Sequence, residues 1–373
     1  MTTMKLRNSM RGAMVGGAIG DALGYPVRSI KSFEGIQAKY GVRGITRMDT
    51  TRWWLDNEEL DSEALVTDKT QMTLYTAWGL LNAGSPEMAV ASVREACIEW
   101  YLSQIGWANT QFEQSWLRKV EGLNERREAD YTSMMALRAA FEGELFFSRS
   151  NGSAGMARIA PAALYAASSE TDIEAADLQA AEIAKITHLH PLGYIPAALE
   201  AHLLYRLAAD EAPSRNRFIH YIQEGMATVR NLFAEESEAL DRLQELVDKA
   251  IALTATCLSD VKAIESIGEG KMAEEALAIA IYCSLKHFGN FEAAVVAAVN
   301  HMGASDTTGA LTGSLMGAAL GYNAIPARLK DNVELQDLLL SMADDLWNGS
   351  MLQQEMHEKA DTTSAEERHL LAC

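Results

Sequence analysis

Three short groups of acidic and hydroxyl residues are the strongest candidates for chemistry in this chain. They are Asp21, the segment Thr67-Asp68-Lys69-Thr70 and the segment Asp306-Thr307-Thr308. Carboxylate and hydroxyl oxygens are the ligands that hard cations such as Mg²⁺ prefer. Aspartate and threonine are also favoured where helices begin, so capping alone explains each group taken by itself. If the two Thr/Asp helix starts converge, they would supply the oxygen ligands of a cation site.

The rest of the sequence predicts an all-α protein that would position these groups. The chain has 373 residues, of which 48% are hydrophobic and 22% are charged, and no stretch alternates apolar and polar residues as a half-buried strand does. No Pro/Ser-rich linker divides it, so we expect one helical domain over 1–350 and a polar tail over 351–373. Residues 29–66 are predicted to be rich in loops. Helices are predicted at about 9–24, from 68 onward behind an N-cap at Thr67, and at about 86–104, 131–142, 160–169, 174–187, 192–209, 214–234, 237–257, 272–287, 291–301, 306–320 and 333–346.

Glycines recur at every fourth residue in two segments of the chain. They stand at 12, 16, 20 and 24, and again at 309, 313, 317 and 321. A glycine inside a helix costs about 1 kcal/mol relative to alanine, so its repetition needs a reason. Four-residue spacing places small residues on one ridge of a helix, where a neighbouring backbone can approach closely. We therefore predict that the two ends of the chain meet in the interior.

Charge and cysteine usage limit the partners and the compartment. The net charge is −19, which argues against binding to a nucleic-acid backbone and leaves a basic protein partner open. The four cysteines show no CxxC spacing, which is typical of a reducing compartment and predicts a cytoplasmic protein. No apolar run is long enough to cross a bilayer, so no membrane association is expected.

Six motifs then occur in order along the whole chain. They are GAMVGGAIGDALGYPV, TDKTQMTL, NGSAGMARIAP, THLHP, IGEGKMAEEALAIAIY and GASDTTGALTGSLMGAALG. This ordered set resembles the ADP-ribosylglycohydrolase family, the all-helical hydrolases that remove ADP-ribose from modified proteins and related substrates. The resemblance implies a single-domain orthogonal bundle of helices. It also implies ADP-ribose or an ADP-ribosylated substrate as the ligand.

The resemblance also implies roles for individual residues. In that family two Mg²⁺ or Mn²⁺ ions are held by a Thr/Ser-Asp-Asp triplet and an Asp-x-Asp-Thr/Ser quartet, and they position the distal ribose and the attacking water. The metal-ligand positions fall on Thr67, Asp68, Asp306 and Thr307. The substrate-binding positions fall on Gly152, Ser153, Gly155, His188, Gly268 and Gly270. The candidates for a catalytic base are Asp68, Asp306 and Asp21. Arg158 takes the place of the arginine of the substrate loop. The resemblance leaves two roles for it equally open, a structural salt bridge and a contact with the ligand.

The chain departs from the family pattern at both metal motifs. Lys69 stands where the triplet has its second aspartate, and Ala304 stands where the quartet has its first. Arg28 occupies a position where many members have a glutamate. An ammonium a few ångströms from a divalent ion is repelled by several kcal/mol. We therefore predict that the Lys69 amine fills one metal position and pairs with Asp68 or Asp306. At most one Mg²⁺ or Mn²⁺ ion would then bind, with a metal-free centre as the alternative.

Two functions are compatible with this pattern, and the sequence leaves both open. The first is a divergent hydrolase that binds ADP-ribose conjugates and cleaves the ADP-ribosyl glycosidic bond by an altered one-metal or metal-free route, since the ordinary two-metal mechanism is predicted to be impaired. The alternative is a catalytically degenerate binding protein. It would be a reader of ADP-ribosylated partners or an immunity-type protein that recognises an ADP-ribosylating toxin, and the acidic charge suits a basic partner.

Overall fold

The computed structural model describes residues 3–51, 63–107 and 115–349. Within these ranges the chain forms helices, and its β pairing is limited to the isolated bridges Ala64–Val333 and Gly152–Met272. In chain order, α1 to α16 are Thr3–Gly24, Phe33–Tyr40, Asp68–Leu81, Ala89–Gln104, Tyr131–Glu142, Ala160–Ser168, Ile173–Lys185, Pro191–Ala209, Arg215–Leu232, Ser237–Leu253, Asp260–Ile267, Ala273–Lys286, Phe291–Val299, Ser305–Leu320, Ala327–Lys330 and Gln336–Asn348. The predicted polar tail over 351–373 lies outside the described residues.

The predicted all-α class is confirmed, and each predicted helix has a counterpart in the structure. The expectation of loops over 29–66 was wrong for α2, which buries one hydrophobic residue, Ile36, and so carries almost no apolar periodicity. Its start is fixed by Ser32, whose hydroxyl accepts the Gly35 N–H at 3.1 Å. α1 also begins earlier than predicted. Lys5 reaches the last carbonyls of α8 at 3.0–3.1 Å, a tertiary contact that holds the first turn of α1 in place.

α1 and α14 form an antiparallel pair whose backbones are in direct contact. A Cβ added to Gly12 would lie 2.3 Å from the carbonyl oxygen of Gly317, and one added to Gly20 would lie 1.9 Å from that of Gly309. No real Cβ can be accommodated at such distances, so glycine is what permits the contact. The predicted meeting of the two chain ends is confirmed. It places the C-terminal part of α1 beside the N-terminus of α14.

Two further contacts fix α1 and α3 in the interior. Arg7 and Arg11 of α1 both pair with Asp344 of α16, at 2.8 and 2.5 Å. α3 is almost entirely buried, and its Gln71 amide oxygen accepts the indole N–H of the buried Trp100 on α4 at 3.1 Å. The first residues of α3 are therefore carried into the core together with their charges. In the described ranges no helix has the length and apolar character needed to cross a bilayer.

Candidate active site

Asp21 joins α1 to the start of α3. Its carboxylate accepts the backbone N–H of Thr67 at 2.8 Å and the Thr67 hydroxyl at 2.7 Å, and the N–H and hydroxyl of Thr70 at 3.2 and 2.6 Å. Thr67 is the N-cap of α3, as predicted, and its Oγ1 accepts the Lys69 N–H at 3.3 Å. Burial raises the pKa of Asp21 to about 6. Four accepted hydrogen bonds commit this carboxylate to holding the helix start, and its role as a catalytic base stays a prediction.

Lys69 lies between the two remaining aspartates of the predicted metal site. Its Nζ is 2.6 Å from Oδ1 of Asp68 and 3.1 Å from Oδ2 of Asp306. The lysine side chain is 6% exposed and Asp306 is fully buried. Burial by itself would lower the pKa of Lys69, but the two carboxylates outweigh it and raise the pKa, so the amine is charged. The predicted ion pair of Lys69 is confirmed, and it is made with both aspartates.

Arg28 is a second cation on Asp306. Its Nε lies 3.1 Å from the same Oδ2 atom that Lys69 approaches, and its Nη1 pairs with Glu128. Burial alone would raise the pKa of Asp306, yet the Lys69 and Arg28 charges hold it below the usual value. We call Arg28, Asp68, Lys69 and Asp306 the ionic centre. Its two cations balance its two carboxylates, whereas the sequence had marked Arg28 only as the replacement of a family glutamate.

The ionic centre does not fit a pair of divalent ions. Besides its cations, Asp68 accepts the N–H of Asp130 at 3.0 Å, and Asp306 accepts the N–H of Thr307 at 2.9 Å. Among the residues that the structure describes, no group of three or more His, Cys, Asp or Glu side chains could hold a metal ion. Of the four predicted ligands, Asp68 and Asp306 are brought together by Lys69, whereas the Thr67 hydroxyl donates to Asp21, and a divalent ion between the two aspartates would have to displace the buried ammonium of Lys69.

A second set of predicted site residues forms what we call the glycine wall, residues 152–155 and 268–272. Ser153 joins its two segments, because its N–H donates to the Lys271 carbonyl at 3.1 Å and its hydroxyl donates to the Gly270 carbonyl at 3.2 Å. Gly270 has φ 70°, a left-handed conformation that favours glycine. Gly268 ends α11, where a Cβ would collide with the Glu275 carboxyl group at 2.3 Å. The two predicted substrate segments are therefore neighbours.

His188 lies against the glycine wall and fills the space that its glycines leave. A Cβ on Gly155 would lie 2.8 Å from Nδ1 of the imidazole, and one on Gly152 would lie 3.3 Å from Nε2. The ring is fully buried, and burial lowers its pKa to about 4, so it is neutral at pH 7. Its Nε2 is 3.8 Å from Oδ2 of Asp130.

Asp130 connects the glycine wall with the ionic centre. Its N–H donates to Asp68, and its carboxylate faces His188 while accepting the Ser133 N–H at 2.7 Å as the N-cap of α5. Sequence reasoning missed this residue. The one available signal was its place in front of a predicted helix, which indicates a cap and says nothing about the partners of the carboxylate.

Arg158 is fully buried, and within the described residues its contacts are made with neutral acceptors rather than with a carboxylate. Its Nη2 donates to the Ile183 carbonyl at 3.1 Å and to the Thr187 hydroxyl at 2.9 Å. The salt bridge that the sequence held open is therefore wrong for the described part of the chain. A buried guanidinium bonded only to neutral acceptors is unusual and calls for an explanation.

Comparisons with known proteins agree with this architecture. A family model described as ADP-ribosylglycohydrolase matches residues 2–355. The ADP-ribosylhydrolase ARH3 of Homo sapiens is 27% identical over 220 residues, and that of Mus musculus is 26% identical over the same length. These alignments cover 53% of this chain and 56% and 55% of the relatives, so the chain spans about half the length of the curated relatives it matches. A solved structure described as an ADP-ribosylglycohydrolase-related protein complex superposes with a TM-score of 0.66 at 20% identity, over 93% of this chain and 99% of that one, which shows a shared fold.

Proposed function

The chain belongs to the ADP-ribosylglycohydrolase family, and from this premise we propose that it binds ADP-ribosylated substrates at the glycine wall and acts on them without paired divalent ions. Membership supports hydrolase-type processing of ADP-ribose at the level of the family. The route is specific to this chain and follows from its own charges. The three described cysteines are free, which supports the proposal of a cytoplasmic location.

One observation carries the proposal, namely the position of Lys69 Nζ between Asp68 and Asp306. A buried ammonium with two short carboxylate contacts supplies locally the positive charge that a metal would bring. Adding a divalent ion beside it would bring together like charges at a cost of several kcal/mol. The ion would also have to compete with a contact that is already made.

Asp68 is the best candidate for a base in a metal-free cleavage. Each of its oxygens accepts one hydrogen bond, from Lys69 and from the Asp130 N–H, and a carboxylate oxygen has two lone pairs. It thus keeps the capacity to accept a proton from water. Burial also raises its pKa, which strengthens it as a base, whereas two cations weaken Asp306.

The charge balance of the ionic centre favours a second function, recognition without cleavage. Both carboxylates of the ionic centre are already paired with cations of this chain, and Arg28 also pairs with Glu128, which supports a centre that holds no metal. A protein of this kind would read ADP-ribosylated partners or bind an ADP-ribosylating toxin. A net charge of −19 is suited to a basic partner of the latter type.

The two functions are separated by one set of assays. Release of ADP-ribose is measured from ADP-ribosyl-arginine, ADP-ribosyl-serine and an ADP-ribosylated nucleotide, in EDTA and in 1 mM Mn²⁺, and binding of ADP-ribose is measured by calorimetry. Release that persists in EDTA and is abolished by Asp68→Asn supports the first function. Binding with no release supports the second. Release that depends on Mn²⁺, together with two tight Mn²⁺ sites, would overturn the proposal.

A further inference from the structure

The buried guanidinium of Arg158 determines which way the Thr187 hydroxyl points. Arginine carries only donors, so at the 2.9 Å contact Arg158 donates and Thr187 Oγ1 accepts. The second donor contact of the same Nη2 goes to the Ile183 carbonyl. The single proton of the Thr187 hydroxyl is left free to be donated elsewhere.

The acceptor of that proton is Nδ1 of His188. Thr187 Oγ1 and His188 Nδ1 are 2.9 Å apart, and both residues are fully buried. No other acceptor for the Thr187 hydroxyl is found among the described residues, and its oxygen already accepts from Arg158. Nδ1 therefore carries the lone pair, and in a neutral imidazole the proton resides on Nε2.

The opposite side of the ring leads to the same assignment. Nε2 faces Asp130 Oδ2 at 3.8 Å, a distance beyond hydrogen-bond range. An N–H directed at a carboxylate is electrostatically favourable, whereas a lone pair directed at it is not. Nε2 has no hydrogen-bond partner within the described ranges, although it is buried beside Gly152 of the glycine wall.

We infer that Arg158 and Thr187 are positioning residues that hold His188 as its Nε2–H tautomer, so that the buried imidazole keeps a neutral N–H directed at Asp130 and its ring packed against Gly152 and Gly155 of the glycine wall. The inference rests on the proposed function for the role of the glycine wall in binding substrate. It explains why a guanidinium is buried among neutral acceptors. The Arg158 guanidinium offers donors to its neighbours, so it orients the Thr187 hydroxyl in one direction.

The tautomer can be observed directly in the full chain. Long-range ¹H–¹⁵N spectra of the histidine-labelled protein at pH 7, with the His188 signals assigned from their loss in His188→Gln, report which ring nitrogen carries the proton. We expect a protonated Nε2 and an unprotonated Nδ1. A proton on Nδ1, or on both nitrogens, would overturn the inference whether or not ADP-ribose binds.

A pair of variants then tests the consequence for binding. Thr187→Val removes the hydroxyl and should weaken ADP-ribose binding roughly tenfold, the size of one hydrogen bond, while Thr187→Ser keeps the hydroxyl and should bind like the native protein. Equal affinity in all three proteins would refute the positioning role. If the native protein does not bind ADP-ribose, the proposed function fails while the tautomer assignment still stands on the spectra. If Thr187→Val does not fold, the native spectra and Thr187→Ser decide the question.

Discussion

Replacing Lys69 by methionine would remove the charge that Asp68 and Asp306 share. In the native protein the amine lies 2.6 and 3.1 Å from these carboxylates, and the side chain is 6% exposed. Methionine retains most of the length and the apolar stem of lysine. The variant therefore tests the charge with little change in packing.

The expected cost can be worked out from the contacts that remain. Removing one partner of a buried ion pair destabilises a protein by about 3–5 kcal/mol. Two contacts soften the loss, because Arg28 still pairs with Asp306 and the Asp130 N–H still bonds to Asp68. We therefore expect the low end of the range, about 3 kcal/mol at pH 7.5.

The free-energy cost of Lys69→Met should become smaller as the pH falls. In the native protein the cations hold the pKa of Asp306 below its usual value, so ionised Asp306 contributes stability above its unfolded pKa, and this is lost as pH falls through the lower native value. In Lys69→Met a proton can take the place of the missing charge. Between pH 7.5 and 5 the variant should thus recover part of the difference from the native protein.

The assay is urea and thermal unfolding, with and without Mn²⁺. Lys271→Met is the matched control, because it removes a lysine whose ion pair is exposed and should cost less than about 1 kcal/mol. Mn²⁺ should stabilise Lys69→Met by about 2.7 kcal/mol at one hundred times its dissociation constant, and should leave the native protein unchanged. An equal Mn²⁺ response of both proteins would refute the displacement of metal by lysine. Unfolding at the same urea concentration as the native protein would refute the energetic importance of the ion pairs.

Two further predictions concern the packing and the pH dependence of α1. Gly20→Ala should destabilise the protein by about 3 kcal/mol in urea unfolding, because its Cβ would lie 1.9 Å from the Gly309 carbonyl oxygen. Gly84→Ala is the control, because a Cβ there meets nothing within 4 Å and the substitution should be neutral. Equal effects of the two substitutions would contradict the packing argument. The two α1 arginines lower the pKa of Asp344 to about 2, so the contribution of this carboxylate is present above pH 4 and lost as pH falls toward 2. Asp344→Asn should lower the free energy of unfolding by up to about 2 kcal/mol at pH 7 and leave it unchanged near pH 2. A loss that does not vary with pH would exclude the ion pairs as its cause.

Most of the helices could be predicted from local patterns, and the exceptions have two physical causes. α2, α11 and α15 are short, so each offers at most about two turns over which a periodicity could be recognised. The first turn of α1 is held by Lys5 on the distant carbonyls of α8, which no local pattern records. The predicted tail and its boundary stay a prediction.

The sequence by itself determined that Lys69 stands beside Asp68 at the start of a helix, and the glycine spacing predicted that the two ends of the chain meet. The position of Lys69 between carboxylates was predicted through the resemblance of the segments 67–74 and 303–321 to the metal motifs of the family. Order along the chain and residue spacing need no knowledge of the fold, because the covalent chain fixes them.

Only the tertiary structure decided how the remaining groups are paired. Arg28 reaches Asp306 across 278 positions of the chain, Asp130 links Asp68 to His188, and Asp21 is committed to the start of α3. A side chain selects its partner by distance and direction in three dimensions, and these are set by how helices cross. Local sequence specifies the helices, and their packing specifies which carboxylate each cation neutralises.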